Sequence, residues 1–309
     1  MSDSYHSGTD RLSASGAKLI LRTPLEYFTK YGPHAVQDKP KPAFRFGTAF
    51  HILVLEGEEE FKRRVTCVPN WKEIFTKPRS KAAMFERQEW EGRQEERDPN
   101  LFFISEEYDQ MLYMRDCVFE HKAASEILAE GKPETVFTAD VAIEIADLRS
   151  TPEDQGDEDI PITIETIGIK AKIDWVTHDD AYLCDLKTCS DIDPRKLGAD
   201  AWNYGYHLQQ AFHRFVYAQS IGYPQGVVDE FRPDSTFPRW DWIFVSKNSY
   251  DKRNYPVRVI HPTEAEEEAG RELMAEAMRI YARCKRDNEW PGPSQESEPL
   301  LTPSWAKWR

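Results

Sequence analysis

Two aspartates and a lysine flank a predicted β-turn in the middle of the chain. Apolar, strand-like runs lie on both sides of His178-Asp179-Asp180, a pattern typical of a β-hairpin. If Asp179-Asp180 is the centre of the turn, Asp174 lies directly opposite Asp185. Lys187 then shares the face of both carboxylates, because side chains alternate along a strand. We expect the other face to pack in the core, since it carries Ile173, Trp175, Tyr182, Cys184 and Leu186.

Two carboxylates that face each other on a half-buried sheet need compensation of their charge. Facing residues are about 4.5–5.5 Å apart at Cβ, and like charges there are destabilising. A divalent metal meets this need, and Mg²⁺ prefers carboxylate oxygens and water as ligands. Lys187 could then orient or deprotonate a water, or stabilise developing negative charge. The alternative is a solvent-facing hairpin whose charges serve only solubility, and a register slip of one residue would separate the two acids.

These residues follow a known nuclease signature. Asp174 and the tripeptide Asp185-Leu186-Lys187 match the PD-(D/E)XK pattern, with Ile173 where a proline usually stands. Together with other blocks in the same order, they resemble the nuclease domain of the RecE (exonuclease VIII) family of phage-type exonucleases. The blocks are Leu12-Ser13-Ala14-Ser15-Gly16, Phe46-Gly47-Thr48-Ala49-Phe50-His51, Leu55-Glu56, Gly168 to Trp175, Asp185 to Thr188 and Tyr206-His207-Leu208-Gln209.

The resemblance implies a site for Mg²⁺, with Mn²⁺ as a possible substitute. The residues that it assigns to the metal are His51, Asp174, Asp185 and the carbonyl of Leu186. Those that it assigns to catalysis are Glu134, Asp174, Asp185 and Lys187. Glu134 would be the acid of the first core strand, where it completes the metal shell or orients the water. The long, acidic segment 151–159 separates it from Asp174, so Glu144 is the alternative for this role.

Binding of DNA has to be reconciled with the acidic composition of the chain. The sequence has 54 Asp and Glu against 40 Lys and Arg, a formal net charge of −14, whereas nucleic-acid binding usually leaves a basic footprint. We expect a narrow basic channel formed by Lys39, Lys41, Arg45, Lys170, Lys172, Lys187 and Arg195. The individual candidates for DNA contacts are Gln209, Thr188 and Arg45.

The order of predicted elements indicates one domain of the α/β class. We predict a PD-(D/E)XK (restriction-endonuclease-like) core, with a central mixed sheet flanked by helices. The segments would be a flexible tail 1–11, a mainly helical part 12–130, a β-rich catalytic core 131–262, and a helix with a tail 263–309. Phe46 to Glu56 is predicted as one buried helix. The predicted strands are Glu134–Ile145, Ile160–Val176, Ala181–Thr188, Val227–Phe231, Trp240–Ser246 and Val257–Ile260.

Several other classes of protein are disfavoured by the sequence. No apolar run approaches the length of a membrane span, and no secretory signal is visible at the N-terminus. The five cysteines are scattered, which is typical of reduced thiols in a cytoplasm and speaks against an iron–sulfur cluster. The chain lacks a GxxxxGK[ST] motif, so we expect no bound nucleotide.

By resemblance, the protein would be an exodeoxyribonuclease in the cytoplasm of a bacterial host. It would digest linear double-stranded DNA from the 5′ end and leave 3′ single-stranded tails. A single-strand annealing protein would use these tails in phage-type recombination, and the nuclease itself would form a homo-oligomeric ring. Two alternatives stay open, namely a catalytically silent interaction protein on the same fold and an endonuclease or single-strand nuclease.

Overall fold

The computed structural model describes residues 10–35, 42–146, 161–223, 228, 231–234 and 236–296. The α-helices of this part are α1 (Ala14–Arg22), α2 (Pro24–Tyr31), α3 (Pro42–His51), α4 (Glu58–Arg64), α5 (Trp71–Ile74), α6 (Lys81–Arg93), α7 (Ser105–Glu120), α8 (Lys122–Ile127), α9 (Pro194–Asn203), α10 (Tyr206–Ser220) and α11 (Glu264–Asp287). None of them is long and apolar enough to cross a lipid bilayer. The acidic segment 151–159 and the lysines Lys39 and Lys41 lie outside the described residues.

A six-stranded mixed sheet forms the centre of the molecule. The strands of the described chain are β1 (Arg11–Leu12), β2 (Thr66–Val68), β3 (Phe102–Ile104), β4 (Gly131–Ala146), β5 (Ile162–Thr177), β6 (Tyr182–Cys189), β7 (Arg239–Ser246) and β8 (Val257–Ile260). Strand β5 pairs antiparallel with β4 and β6 and parallel with β1, whereas β6 and β7 are parallel and β8 closes the sheet antiparallel. Strands β2 and β3 form a separate parallel pair. The predicted fold class, a mixed sheet flanked by helices, is confirmed.

Two hydrophobic clusters cover the two faces of this sheet. On one face, α1, α10 and α11 pack on β4, β5 and β7 through fully buried side chains such as Phe212, Met278 and Ile169. On the other face, α3 and α7 pack on β6 and β7 through side chains such as Phe50 and Met114. Burial of apolar surface on both sides makes the sheet a rigid platform. The helices that begin or end near the middle of the sheet, α3 and α10, are therefore held in place on opposite faces.

The predicted elements agree with this architecture except at three places. Arg11, assigned to a flexible tail, begins β1 and pairs with Gly168. Its guanidinium also donates hydrogen bonds to the Ala139 carbonyl and the Asp140 carboxylate, which hold this residue against β4. The predicted strand Val227–Phe231 is wrong for its described residues, which belong to no strand. Its apolar side chains, Val228 and Phe231, are instead buried in the cluster under α10.

The third difference concerns the helix predicted from Phe46 to Glu56. The α-helix ends at His51 and continues as a π-helix over Ile52–Glu56, whose residues Ile52 to Leu55 are buried. A π-helix changes the angular spacing of side chains and is frequent at functional sites. His51 is the last α-helical residue before this change, so its ring projects from the end of α3 towards β5 and β6.

Candidate active site

Strands β5 and β6 separate at the predicted site. Their ladder consists of two pairs, Trp175 with Cys184 and Val176 with Leu183. This is the register predicted from a turn at Asp179-Asp180, and it places Asp174 opposite Asp185. At the next position, the backbone N–H of Leu186 donates to Asp174 Oδ2 at 2.9 Å. A side chain thus replaces the backbone ladder, and β6 continues beside β7. The opening between the strands leaves room for the functional groups.

Glu134 lies opposite Asp174 on the other side of β5. The β4–β5 pairing passes from Pro133–Trp175 to Thr135–Ile173, and Glu134 between them has a φ of 50°. A positive φ is uncommon outside glycine, so the strand is locally irregular here. The structure also departs from the predicted core face, because Ile173 packs in one hydrophobic cluster and Trp175, Cys184 and Leu186 pack in the other.

The choice between Glu134 and Glu144 is made by distance. Glu144 is exposed and pairs with Ile164, ten residues further along β4. Ten residues of extended strand span about 33 Å. Glu144 therefore lies far from Asp174, whereas Glu134 is beside it, so the geometry favours Glu134 for this role.

His51, Glu134 and Asp174 form a compact group of potential metal ligands. One ligand atom from each lies within 4.8 Å of the other two. His51 Nδ1 is 3.6 Å from Glu134 Oε1 and 3.7 Å from Asp174 Oδ2. On the far side of the ring, His51 Nε2 is 2.7 Å from the carbonyl oxygen of Leu186. Because a carbonyl oxygen only accepts, Nε2 donates this bond, and Nδ1 faces the two carboxylates.

This donor set fits a divalent cation. Two carboxylates and one imidazole nitrogen suit a hard or borderline ion such as Mg²⁺, Mn²⁺ or Zn²⁺. The Leu186 carbonyl, predicted as a ligand, holds the His51 ring through one lone pair and keeps a second one. Asp185 is outside the group, since its carboxylate is engaged by Lys187 and Gln209. Of the residues predicted to hold the metal, His51 and Asp174 converge directly, and Glu134 joins them.

Asp185 and Lys187, on the neighbouring strand β6, form a second group of interacting side chains. The Asp185 side chain is almost fully buried and forms an ion pair with the Lys187 ammonium. Gln209 Nε2 donates a 2.9 Å hydrogen bond to Asp185 Oδ1. Lys187 Nζ also lies 5.2 Å from the centre of the Tyr206 ring. Gln209, predicted as a DNA contact, thus fixes the orientation of Asp185 from α10.

The local charges shift the pKa values of the acids in opposite directions. Burial, reinforced by the charges of Asp185 and Glu134, raises the pKa of Asp174 to about 6. Burial would also raise the pKa of Glu134, but hydrogen bonds from His51 and Lys172 outweigh it and lower the pKa. Burial opposes protonation of His51, yet the Asp174 and Glu134 charges raise its pKa overall. The two carboxylates and the imidazole are therefore arranged so that a positive charge between them, a proton or a metal cation, is favourable.

Lys172 is a site residue whose role the sequence interpretation missed. Its ammonium forms an ion pair with Glu134 and so helps to keep this acid ionised. The sequence does contain a signal for this role, because Lys172 lies two residues before Asp174 and so shares its face of the strand. It had been assigned only to the basic channel. The pairing shows that this lysine acts on the acid of the adjacent strand.

Most other members of the predicted basic channel have partners within the protein. Arg45 is 3.4 Å from Glu107, and its guanidinium lies over the Phe103 ring. Arg195 is highly exposed and lies 3.5 Å from Asp193. Thr188 is half-buried, one residue after Lys187. The predicted DNA roles of Arg45 and Thr188 stay predictions.

Comparison with known proteins agrees with this fold. A crystal structure of a protein from Eubacterium rectale, described as a "putative exonuclease", is similar with a TM-score of 0.57 and 13% sequence identity. The match covers 98% of this chain and 95% of that one. No curated protein matches the sequence. The mixed sheet and the acids at its strand opening define a protein of the PD-(D/E)XK class.

The family follows from the sequence comparison. The model of the PDDEXK-like domain of unknown function (DUF3799) matches residues 13–228. The chain belongs to this family. The match contains all of the site residues described above, from His51 in α3 to Gln209 in α10. The narrower resemblance to the RecE family stays a prediction.

Proposed function

We propose that the protein is a metal-dependent nuclease and, more specifically, a Mg²⁺-dependent exodeoxyribonuclease that acts on linear double-stranded DNA. The observation that carries the proposal is the convergence of His51, Glu134 and Asp174 at the opening between β5 and β6, with the Asp185–Lys187 pair beside them. An ion pair that only stabilises the fold does not require three potential ligand atoms around one point. Metal-assisted hydrolysis of a phosphodiester does need them.

The side chains divide the work between cation binding and charge stabilisation. His51, Glu134 and Asp174 would hold the cation. When bound, it supplies positive charge at the phosphate and lowers the pKa of a coordinated water. Burial would lower the pKa of Lys187, but the Asp185 and Asp174 charges outweigh it and raise the pKa. Lys187 therefore stays protonated at neutral pH, which favours stabilisation of developing negative charge over abstraction of a proton.

The biological setting is proposed from the sequence resemblance. On that basis the enzyme digests one strand from its 5′ end, leaves a 3′ tail for a single-strand annealing protein, and works as a homo-oligomeric ring in the bacterial cytoplasm. The similarity of the fold to a protein described as an exonuclease supports the exonuclease part. An endonuclease or a single-strand nuclease would use the same residues, and a silent interaction protein would use none of them.

One cleavage experiment separates these possibilities. Linear duplex DNA labelled at either 5′ or 3′ ends is incubated with Mg²⁺, Mn²⁺ or EDTA, beside a closed circular duplex and a single strand. Wild type is compared with Lys187→Ala and with Lys252→Ala, which changes an exposed lysine in the connection between β7 and β8.

The expected result is loss of the 5′ label from linear duplex only, dependent on metal, abolished in Lys187→Ala and unchanged in Lys252→Ala. Cutting of the circle would indicate an endonuclease. Absence of any cleavage by folded wild type with every metal would contradict the enzyme proposal and favour the interaction protein.

A further inference from the structure

A second lysine, Lys18, lies near the Tyr206 ring beside the site. Lys18, on α1, places Nζ 5.9 Å from the centre of the Tyr206 ring, and Lys187 Nζ is 5.2 Å from the same centre. The two ammonium groups come from distant parts of the chain and meet at one aromatic side chain at the start of α10. Cation–π attraction to a tyrosine is weak compared with an ion pair to a carboxylate. It does not by itself explain two cations at one ring.

The ammonium of Lys18 has no directly bonded carboxylate within the described part of the chain, although the nearby Asp185 charge acts to raise its pKa. No carboxylate there forms a hydrogen bond or an ion pair with its ammonium, whereas Lys187 pairs with Asp185. Burial, followed by repulsion from Lys187, lowers the pKa of Lys18 to about 8. An ammonium that is partly desolvated and close to a second cation is unfavourable unless an anion completes the arrangement.

The backbone beside Lys18 is shaped to accept its side chain. Gly205, the residue before α10, has a φ of 63°, and a Cβ there would lie 3.2 Å from Lys18 Cε. A side chain at this position would be strained and would also press on the lysine. The turn thus leaves space for the aliphatic part of Lys18, which holds its ammonium at the ring.

The Tyr206 hydroxyl offers a further donor at the same place. Among the residues that the structure describes, it forms no hydrogen bond. Burial raises the pKa of Tyr206 to about 12, so the phenol is neutral and can donate. A charged donor near the ring and a neutral donor on the same ring are both suited to phosphate oxygens.

We propose that Lys18 and Tyr206 bind a second phosphate of a polynucleotide strand, next to the phosphate held by the metal ligands and Lys187. The proposal rests on the nuclease function above and makes it more specific. The substrate is a strand with at least two consecutive phosphates, and Lys18 is a substrate-positioning residue. It does not act on the reacting phosphorus.

The test compares a substrate with one phosphate to a substrate with many. Cleavage of thymidylyl-(3′→5′)-thymidine and of a labelled duplex is measured for wild type, Lys18→Met, Lys18→Arg and Lys30→Met. Lys30 is a matched control, since it is an exposed lysine over a tyrosine ring, 6.0 Å from the centre of Tyr31 on α2.

We expect Lys18→Met to raise KM for the duplex roughly tenfold with little change in kcat, as for loss of one charge-assisted contact. Lys18→Arg should restore most of this loss. The dinucleotide should be cleaved equally well by all four proteins. An equal loss on both substrates, or no loss on either, would overturn the proposal.

Binding is measured separately, so that the result does not depend on cleavage. Fluorescence anisotropy of the labelled duplex, with Ca²⁺ in place of Mg²⁺, should show weaker binding by Lys18→Met and a salt dependence reduced by about one phosphate contact. Lys30→Met should bind like wild type. If wild type binds but cleaves nothing, the nuclease function fails while the second phosphate site stands. If Lys18→Met binds like wild type, or wild type does not bind, the phosphate site is refuted.

Discussion

The backbone N–H of Leu186 donates a 2.9 Å hydrogen bond to the Asp174 carboxylate at the point where β5 and β6 separate. The carbonyl of the same residue holds His51 Nε2 at 2.7 Å. One residue therefore positions two of the potential metal ligands, one through each of its backbone polar groups. Because the Leu186 side chain is buried where β6 packs on α3, neither ligand can move without disturbing the core. The site is held by the sheet and does not depend on a loop.

Replacement of Lys187 by alanine should remove most of the activity. The ammonium stabilises negative charge in the transition state, and loss of such a group costs about 10²–10³-fold in kcat. The Asp185 carboxylate also loses its ion-pair partner. Initial rates on linear duplex test this, with circular dichroism to verify folding. A variant that keeps more than a tenth of the wild-type kcat would exclude this role for Lys187.

Glu134 and Glu144 should differ sharply in their effect on metal binding. Glu134→Gln removes one ligand charge from the group with His51 and Asp174, so Mn²⁺ should bind at least about tenfold more weakly. Glu144→Gln serves as the matched control on the same strand, because its side chain is exposed and distant. Isothermal titration calorimetry with Mn²⁺ measures both. Equal affinities for the two variants would remove Glu134 from the metal site.

Asp174→Asn should stabilise the metal-free protein at neutral pH. The folded pKa of Asp174 is raised to about 6, above the ordinary value of about 3.9 in the unfolded chain. The folded state therefore binds more protons between these values, and its stability falls as pH rises from about 4 to 6. Removing the charge should raise the free energy of unfolding by on the order of 2 kcal/mol at pH 7, and this difference should vanish near pH 4.

Thermal unfolding in EDTA at both pH values measures this difference. Asp179→Asn is a control with the opposite sign, because hydrogen bonds from Thr177 and the Ala181 backbone lower the pKa of Asp179 at the exposed turn. That variant should lose stability at neutral pH. If Asp174→Asn is less stable than wild type at neutral pH, the Asp174 carboxylate is not destabilised by burial.

Gln209→Ala should lower kcat while KM for DNA stays close to the wild-type value. Its amide binds Asp185 Oδ1 and so positions the Asp185–Lys187 pair, and loss of such a supporting bond typically costs about 10–100-fold. Steady-state kinetics on linear duplex distinguish the two roles. A rise in KM at constant kcat would instead support the DNA contact that the sequence pattern predicts.

The hairpin that carries Asp174, Asp185 and Lys187 could be predicted from the sequence because its register is local. Asp174 and Asp185 each lie only five positions from the central pair Asp179-Asp180, so the turn alone brings them opposite each other, and strand alternation places Lys187 on the same face. The fold class followed from the order of helices and strands for the same reason. These features depend on short-range geometry, which residue types and periodicity describe well.

Glu134 and Glu144 show where such reasoning ends. Both lie on one strand and share the same alternation, so no local pattern separates them. The pairing register of β4 with β5, across a long intervening segment, brings Glu134 beside Asp174 and takes Glu144 away. Residue 134 also has a positive φ that no composition rule predicts for a glutamate.

The sequence by itself determined the chemistry that is available: two facing carboxylates, a neighbouring lysine and a helix histidine. Only the tertiary structure decided which distant groups join them, since it brings His51 to the Leu186 carbonyl and places Lys18 at the Tyr206 ring. The physical reason is that these contacts result from the packing of α3 and α1 on opposite faces of the sheet. Such packing is a property of the whole core and leaves no periodic signal in any one segment.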